Sequence, residues 1–164
     1  MRSVSVLIGA LVAALAGAQA VTEKEFLTVC GQFEAAQYRV LRLEPPEKRD
    51  PGSDKPVTRS QVIREFSRIW GKVKPKVRIT TKKYRFDQAV LERRNGAEDA
   101  AILVQLVEKG LVAPVGPLAT GPQETMAAPQ LGDAIGYFFS QVSYLTHKPS
   151  AKWTPSLMPV EGDG

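Results

Sequence analysis

Two stretches of this chain share a pattern that constrains its fold more than any other feature. Val21-Thr22-Glu23-Lys24-Glu25-Phe26-Leu27 and Val57-Thr58-Arg59-Ser60-Gln61-Val62-Ile63 each set a β-branched residue before a threonine, a Glu or Gln three residues on, and then an apolar pair. Thr-x-x-Glu/Gln is a capping box, in which side chains satisfy backbone donors at a helix start. Pro129-Gln130-Leu131, inside 127–139, repeats the last part of the pattern. Repeated amphipathic helices bury their apolar faces only against one another, so the echo points to stacked units. Any capped amphipathic helix produces similar letters, and the echo alone does not establish a repeat.

Apolar spacing places four helices. Thr22 to Leu43 carries Phe26, Val29, Cys30, Phe33, Ala36 and Val40 on one face, and Pro45-Pro46 stops it. The polar stretch to Pro56 reads as an exposed loop. Thr58 opens a second helix with Val62, Phe66, Ile69 and Trp70 inward, ended by Gly71 and Pro75. After Asn95-Gly96, Ala97 to Lys109 is apolar nearly all round, so a central, buried helix is expected, closed by Gly110. A loop over 112–129 leads to a fourth helix, Pro129 to about Leu145, with Leu131, Ile135, Phe138, Val142 and Leu145 as its buried stripe. Lys76 to Phe86 alternates basic with apolar or β-branched residues and reads as an extended arm or a short edge strand.

The N-terminus sets the expected compartment. Arg2, an apolar run from Val4 to Ala16 and Ala18-Gln19-Ala20 have the three parts of a secretory signal peptide. The run is shorter than the roughly 20 residues of a bilayer span. Residues 1–20 are therefore expected to be cleaved, leaving a helical domain over 21–145 and a Pro-rich extended tail over 146–164, with Trp153 as its anchor. The mature chain is then expected in the periplasm, at the cell surface or outside the cell. Cleavage removes Arg2 alone among the charges, taking the net charge from +5 to +4. Cys30 is the only cysteine, so no disulfide forms within the chain; its apolar stripe favours burial over a bridge between chains.

The positive charge is concentrated. Lys72, Lys74, Lys76, Arg78, Lys82, Lys83, Arg85, Arg93 and Arg94 are opposed within 72–94 only by Asp87 and Glu92. Such a segment is either a solvated face or a site for polyanions. Catalytic chemistry has little to work with. His147, the only histidine, lies in the expected tail, away from any nucleophile–base pair. One His and one Cys do not make a usual zinc site, and 116–121 lacks the Lys-Ser/Thr of a phosphate loop. Glu98, Asp99 and Glu108 would be candidates for a carboxylate pair, although at helical spacing such residues more often form a solvated face.

Val57-Thr58-Arg59-Ser60-Gln61 resembles the ITRAE-type signature of S-layer homology (SLH) modules. Leu106-Val107-Glu108-Lys109-Gly110-Leu111-Val112, within 100–116, resembles the helix-then-glycine half of the same module. The resemblance covers about two thirds of the mature chain. It implies a mainly α fold, a small bundle of helix-loop-helix units, here following the expected cleaved signal peptide. Family members bind acidic cell-wall polysaccharide; with the expected signal peptide, the concentrated charge and the scarcity of catalytic residues, the expectation is a non-catalytic role in the cell envelope, binding an anionic wall polymer or an envelope protein, with no cofactor or metal. Arg59 is the one residue carried over by match. The last unit reads Met126-Ala127-Ala128-Pro129-Gln130, without an arginine, and the family's aromatic before the first helix and its Phe-x-Pro are missing. The binding candidates are Arg59 and the basic arm, Lys72, Lys74, Lys76, Arg78, Lys82 and Lys83. The alternatives are a winged-helix-like nucleic-acid binder, which export argues against, and a secreted enzyme of unspecified type.

Overall fold

A computed structural model of the chain describes residues 20–80 and 84–147. The expected signal peptide before Ala20, Lys82, Lys83, and the tail from Lys148 with Trp153 lie outside the described residues. The fold is mainly helical. Helix α1 spans Glu23–Leu41, α2 Arg59–Val73, α3 Gln88–Glu108, the short α4 Pro117–Thr120 and α5 Ala128–Leu145, with a 3₁₀ turn at Lys74–Lys76. Among the described residues there is no strand, only the isolated antiparallel bridges Thr22↔Pro56 and Thr58↔Thr125.

Those bridges organise the bundle. Val57 N–H donates to Val21 O at 2.9 Å, Glu23 N–H to Lys55 O at 2.9 Å and Arg59 N–H to Glu124 O at 2.8 Å, so the starts of α1, α2 and α5 are tied side by side. Each start is capped alike. Thr22 N–H donates to Glu25 Oε2 at 2.9 Å, Thr58 N–H to Gln61 Oε1 at 2.8 Å and Ala127 N–H to Gln130 Oε1 at 3.0 Å. Ala127 has no hydroxyl, so in the third unit only this half of the box is made. The burial pattern also recurs. Val21, Val57 and Met126 are buried just before their helices, and Phe26, Val62 and Leu131 five residues later. Cys30, Phe66 and Ile135, then Phe33, Ile69 and Phe138, continue the three-way layers.

Phe33 stacks on Phe139 with centroids 5.2 Å apart, Phe66 on Phe138 at 4.4 Å, and Phe26 tilts against Phe66 at 6.4 Å. With their starts tied and their middles level, α1, α2 and α5 run in the same direction. Cys30 sits in this core fully buried; burial first, then the carboxylates of Glu65 and Glu34, push its thiol well up. The thiol is thereby kept in its unreactive protonated form.

Helix α3 is longer than the expected Ala97–Lys109 segment and differently placed. Asp87 accepts from Val90 N–H and opens a first half before Asn95-Gly96; Gly96, at φ 78 and ψ 163, kinks the helix there. The second half was expected to be central and buried. Instead Ala101 and Gln105 are exposed, Ile102 and Val104 are half-buried, and Ala100, Leu103, Leu106 and Val107 face inward. The phenylalanines of the other three helices already fill the centre, so α3 packs on its flank. Its second half also runs parallel to α2: Arg59 meets Asn95 at one end, and Arg64 reaches Glu98 at 3.1 Å and Asp99 at 3.0 Å a turn later.

The described residues of the arm after α2, 77–80 and 84–86, form no edge strand. Arg78 and Ile79 donate their N–H groups to Leu145 O at 2.8 and 3.2 Å. The arm thus supplies donors to a carbonyl that α5 leaves free at its C-terminal end.

Between α1 and α2 lies a buried charge network. Glu65 accepts from Arg49 at 2.8 and 2.6 Å, and Arg68 bridges Glu65 at 2.9 Å and Glu34 at 2.6 Å. Glu34 is 1% exposed and Glu65 7%. Burial alone would raise the Glu65 carboxyl, but the hydrogen bonds from Arg49 and Arg68 prevail and hold it below the usual carboxylate range.

Candidate anion-binding cleft

The parallel arrangement sends the N-termini of α1, α2 and α5 to one end of the bundle. Helix N-termini carry partial positive charge, so this end has a collective positive field before any side chain is counted. A polar cleft of about 360 Å³ opens there, between the start of α2, the kink of α3 and the loop after α4. Its lining includes Arg59, Arg93, Arg94 and Asn95 together with Asp99, Gln123 and Glu124.

Arg59 forms the floor. Only 7% exposed, it donates through Nη1 to Gly121 O and through Nη2 to Asn95 Oδ1 and Arg94 O. Asn95 is held in turn, donating through Nδ2 to Leu91 O at 2.9 Å and Ala119 O at 2.8 Å. The guanidinium therefore joins α2, the α3 kink and the α4 loop. Burial, and next the charge of Arg94, lower the Arg59 pKa, with Asp99 opposing them. Arg93 and Arg94 are different: both are exposed, and among the described residues neither guanidinium has an ion-pair or hydrogen-bond partner. They are the cations of the cleft that are free to meet a ligand.

The structure divides the residues singled out in the sequence. Arg59 lies at the start of α2 and Lys72 near its end, thirteen residues on, or about 20 Å along the helix. Lys74, Lys76 and Arg78 continue away from the cleft. One contiguous surface holding Arg59 and the arm is therefore not formed by the described residues. Conversely, Arg93 and Arg94, in the sequence only part of the basic run, reach the cleft. The signal was present in Asn95-Gly96: a break just after two arginines turns them toward whatever packs on the kink.

A second cleft, about 180 Å³ and mainly apolar, lies between 111–118 and α5, lined by Leu111, Val115, Leu118, Met126 and Tyr137. Among the described residues no group of three or more His, Cys, Asp and Glu side chains could hold a metal ion, and no helix is long and apolar enough to cross a membrane. No protein-family model, curated protein or solved structure matches this chain.

Proposed function

We propose that this is an exported, non-catalytic protein of the cell envelope, built from degenerate SLH-like helix units, that binds an anionic wall polymer in the cleft above Arg59. The observation that carries the reading is the pair of unpartnered arginines, Arg93 and Arg94, at the end where three helix N-termini converge. Dipoles and guanidinium groups of one sign favour the same ligand, a carboxylate- or phosphate-bearing chain. Two further features support it. The same Glu or Gln hydrogen bond to the N-cap backbone, and matching buried layers, recur in three helices, as stacked repeats require. Val21, the first residue after the expected cleavage point, is 1% exposed and already belongs to the core.

Retention on purified cell-wall or outer-membrane fractions tests the reading. Retention at low salt, lowered tenfold or more by the double substitution Arg93→Gln and Arg94→Gln, is the expected result. No retention at low salt rejects it. The nucleic-acid alternative expects salt-dependent duplex binding and an intact N-terminus, so mass spectrometry of the native N-terminus separates the two readings.

A further inference from the structure

The opposite end of the bundle carries a second, independent concentration of charge. Arg39 and Arg42 close α1, Lys72 lies in the last turn of α2, Lys74 and Lys76 form the 3₁₀ turn, and Arg78 follows where the arm crosses the end of α5. Arg39, Arg42, Lys72, Lys74 and Arg78 are exposed and Lys76 is half-buried. Among the described residues none of these side chains has an ion pair or hydrogen bond.

Part of this charge has a structural use. Each helix C-terminus carries about half a negative charge, so the parallel ends of α1, α2, α3 and α5 come to about −2. The cations named exceed that, even after Glu44, Asp87 and Glu108 are counted against them and without counting Arg85 and Lys109. A net positive face remains. It also carries aromatic groups: Tyr144, the penultimate residue of α5, is 58% exposed, and Tyr84 is 43% exposed. The Tyr84 ring lies on Gly110, where a Cβ would stand 2.8 Å from its Cε2.

We propose that this end of the bundle is a docking face for an anionic phospholipid surface, separate from the polymer cleft. The charges sit on long side chains at the ends of several elements, none locked in a hydrogen-bonding geometry. That arrangement suits a plane of mobile headgroups, each cation contributing without fixed register. A polymer with fixed spacing would call for oriented donors, such as those around Arg59. Exposed tyrosines beside the cations match the level at which amphipathic rings settle in a bilayer interface.

The test is partitioning of the protein, as recovered from its producing cells, onto vesicles of one part phosphatidylglycerol to two parts phosphatidylcholine, against phosphatidylcholine alone. Expected are binding to the anionic vesicles only and its loss near 1 M salt, where the Debye length is about 3 Å. The variant K72Q/K74Q/K76Q/R78Q is expected to bind several hundredfold more weakly, and Tyr144→Ala a few-fold more weakly. Single variants K72Q and K74Q, each expected to lose about fivefold, provide the same readout where the quadruple variant does not fold. Equal binding to both vesicle types, or unchanged binding by these variants, overturns the proposal. So does loss of wall-polymer retention by them while vesicles stay unbound, since the face would then serve the polymer. Failure of wall retention by the unaltered protein, with vesicle binding intact, overturns only the cleft reading.

Discussion

The two ends of this bundle are both basic, yet they hold their charge in opposite ways. At the N-terminal end an arginine is buried and wired to three oxygens on neighbouring elements, with two free arginines above it. At the C-terminal end the cations stand exposed and apart, on the last turns of helices whose dipoles they offset. Similar side chains are structural at one end and largely electrostatic at the other. The difference shows that positive charge in a sequence has no single meaning; its value depends on how many oriented acceptors the fold brings to it.

Removing Arg59 should break that comparison most strongly. Arg59→Ala leaves Gly121 O, Arg94 O and Asn95 Oδ1 without their donor, at a cost of about 3 kcal/mol once water entry is allowed for. The thermal midpoint should fall by about 10 °C. A fall no larger than that of Lys72→Ala, which should stay within about 0.5 kcal/mol, would erase the distinction between the ends.

The middle of the bundle should resemble the wired end. Glu65→Ala takes both hydrogen bonds from Arg49 and leaves Glu34 as the one carboxylate for Arg49 and Arg68, and because both arginines are one-third exposed the expected loss is about 2 kcal/mol in chemical denaturation, below that of a fully buried pair. The same carboxylate sets an acid limit. Its pKa is lowered in the folded state, so its contribution is complete above the unfolded value of about 4.3 and fades as pH falls through the folded one. Thermal midpoints measured from about pH 6 downward should therefore drop more steeply in the native protein than in Glu65→Gln.

Smaller effects sharpen the description of the exposed end. Lys72→Glu places a negative charge against a negative helix end and should cost about 0.5–1 kcal/mol at low ionic strength. The cost should shrink at high salt, where such interactions are screened; a salt-independent loss would indicate a packing role for Lys72 instead. Smallest of all, the combined Arg93→Gln and Arg94→Gln substitutions should change stability by less than about 0.5 kcal/mol while reducing polymer retention.

Local patterns carried much of this architecture. Thr22 with Glu25 and Thr58 with Gln61 announced two helix starts, and both boxes are made as read. The stripe from Leu131 to Leu145 is buried as expected. Less legible was α3, because an apolar composition does not say which of several helices takes the centre. Ring size settled that: Phe33, Phe66, Phe138 and Phe139 fill the middle, leaving α3 with one face to solvent. The arm at 77–79 gave no sign that its backbone would serve α5, since its partner at Leu145 lies more than sixty residues away.

By itself the sequence determined helical character, capped starts and a concentration of positive charge, because capping, periodicity and composition act over a few residues. Tertiary structure alone decided that α1, α2 and α5 lie parallel, and therefore that Arg59 stands at the end opposite Lys72, Lys74, Lys76 and Arg78. It also decided that Arg93 and Arg94 belong to the cleft. Those outcomes depend on contacts between residues far apart in the chain, where backbone bridges and stacked rings choose a direction that no local pattern encodes.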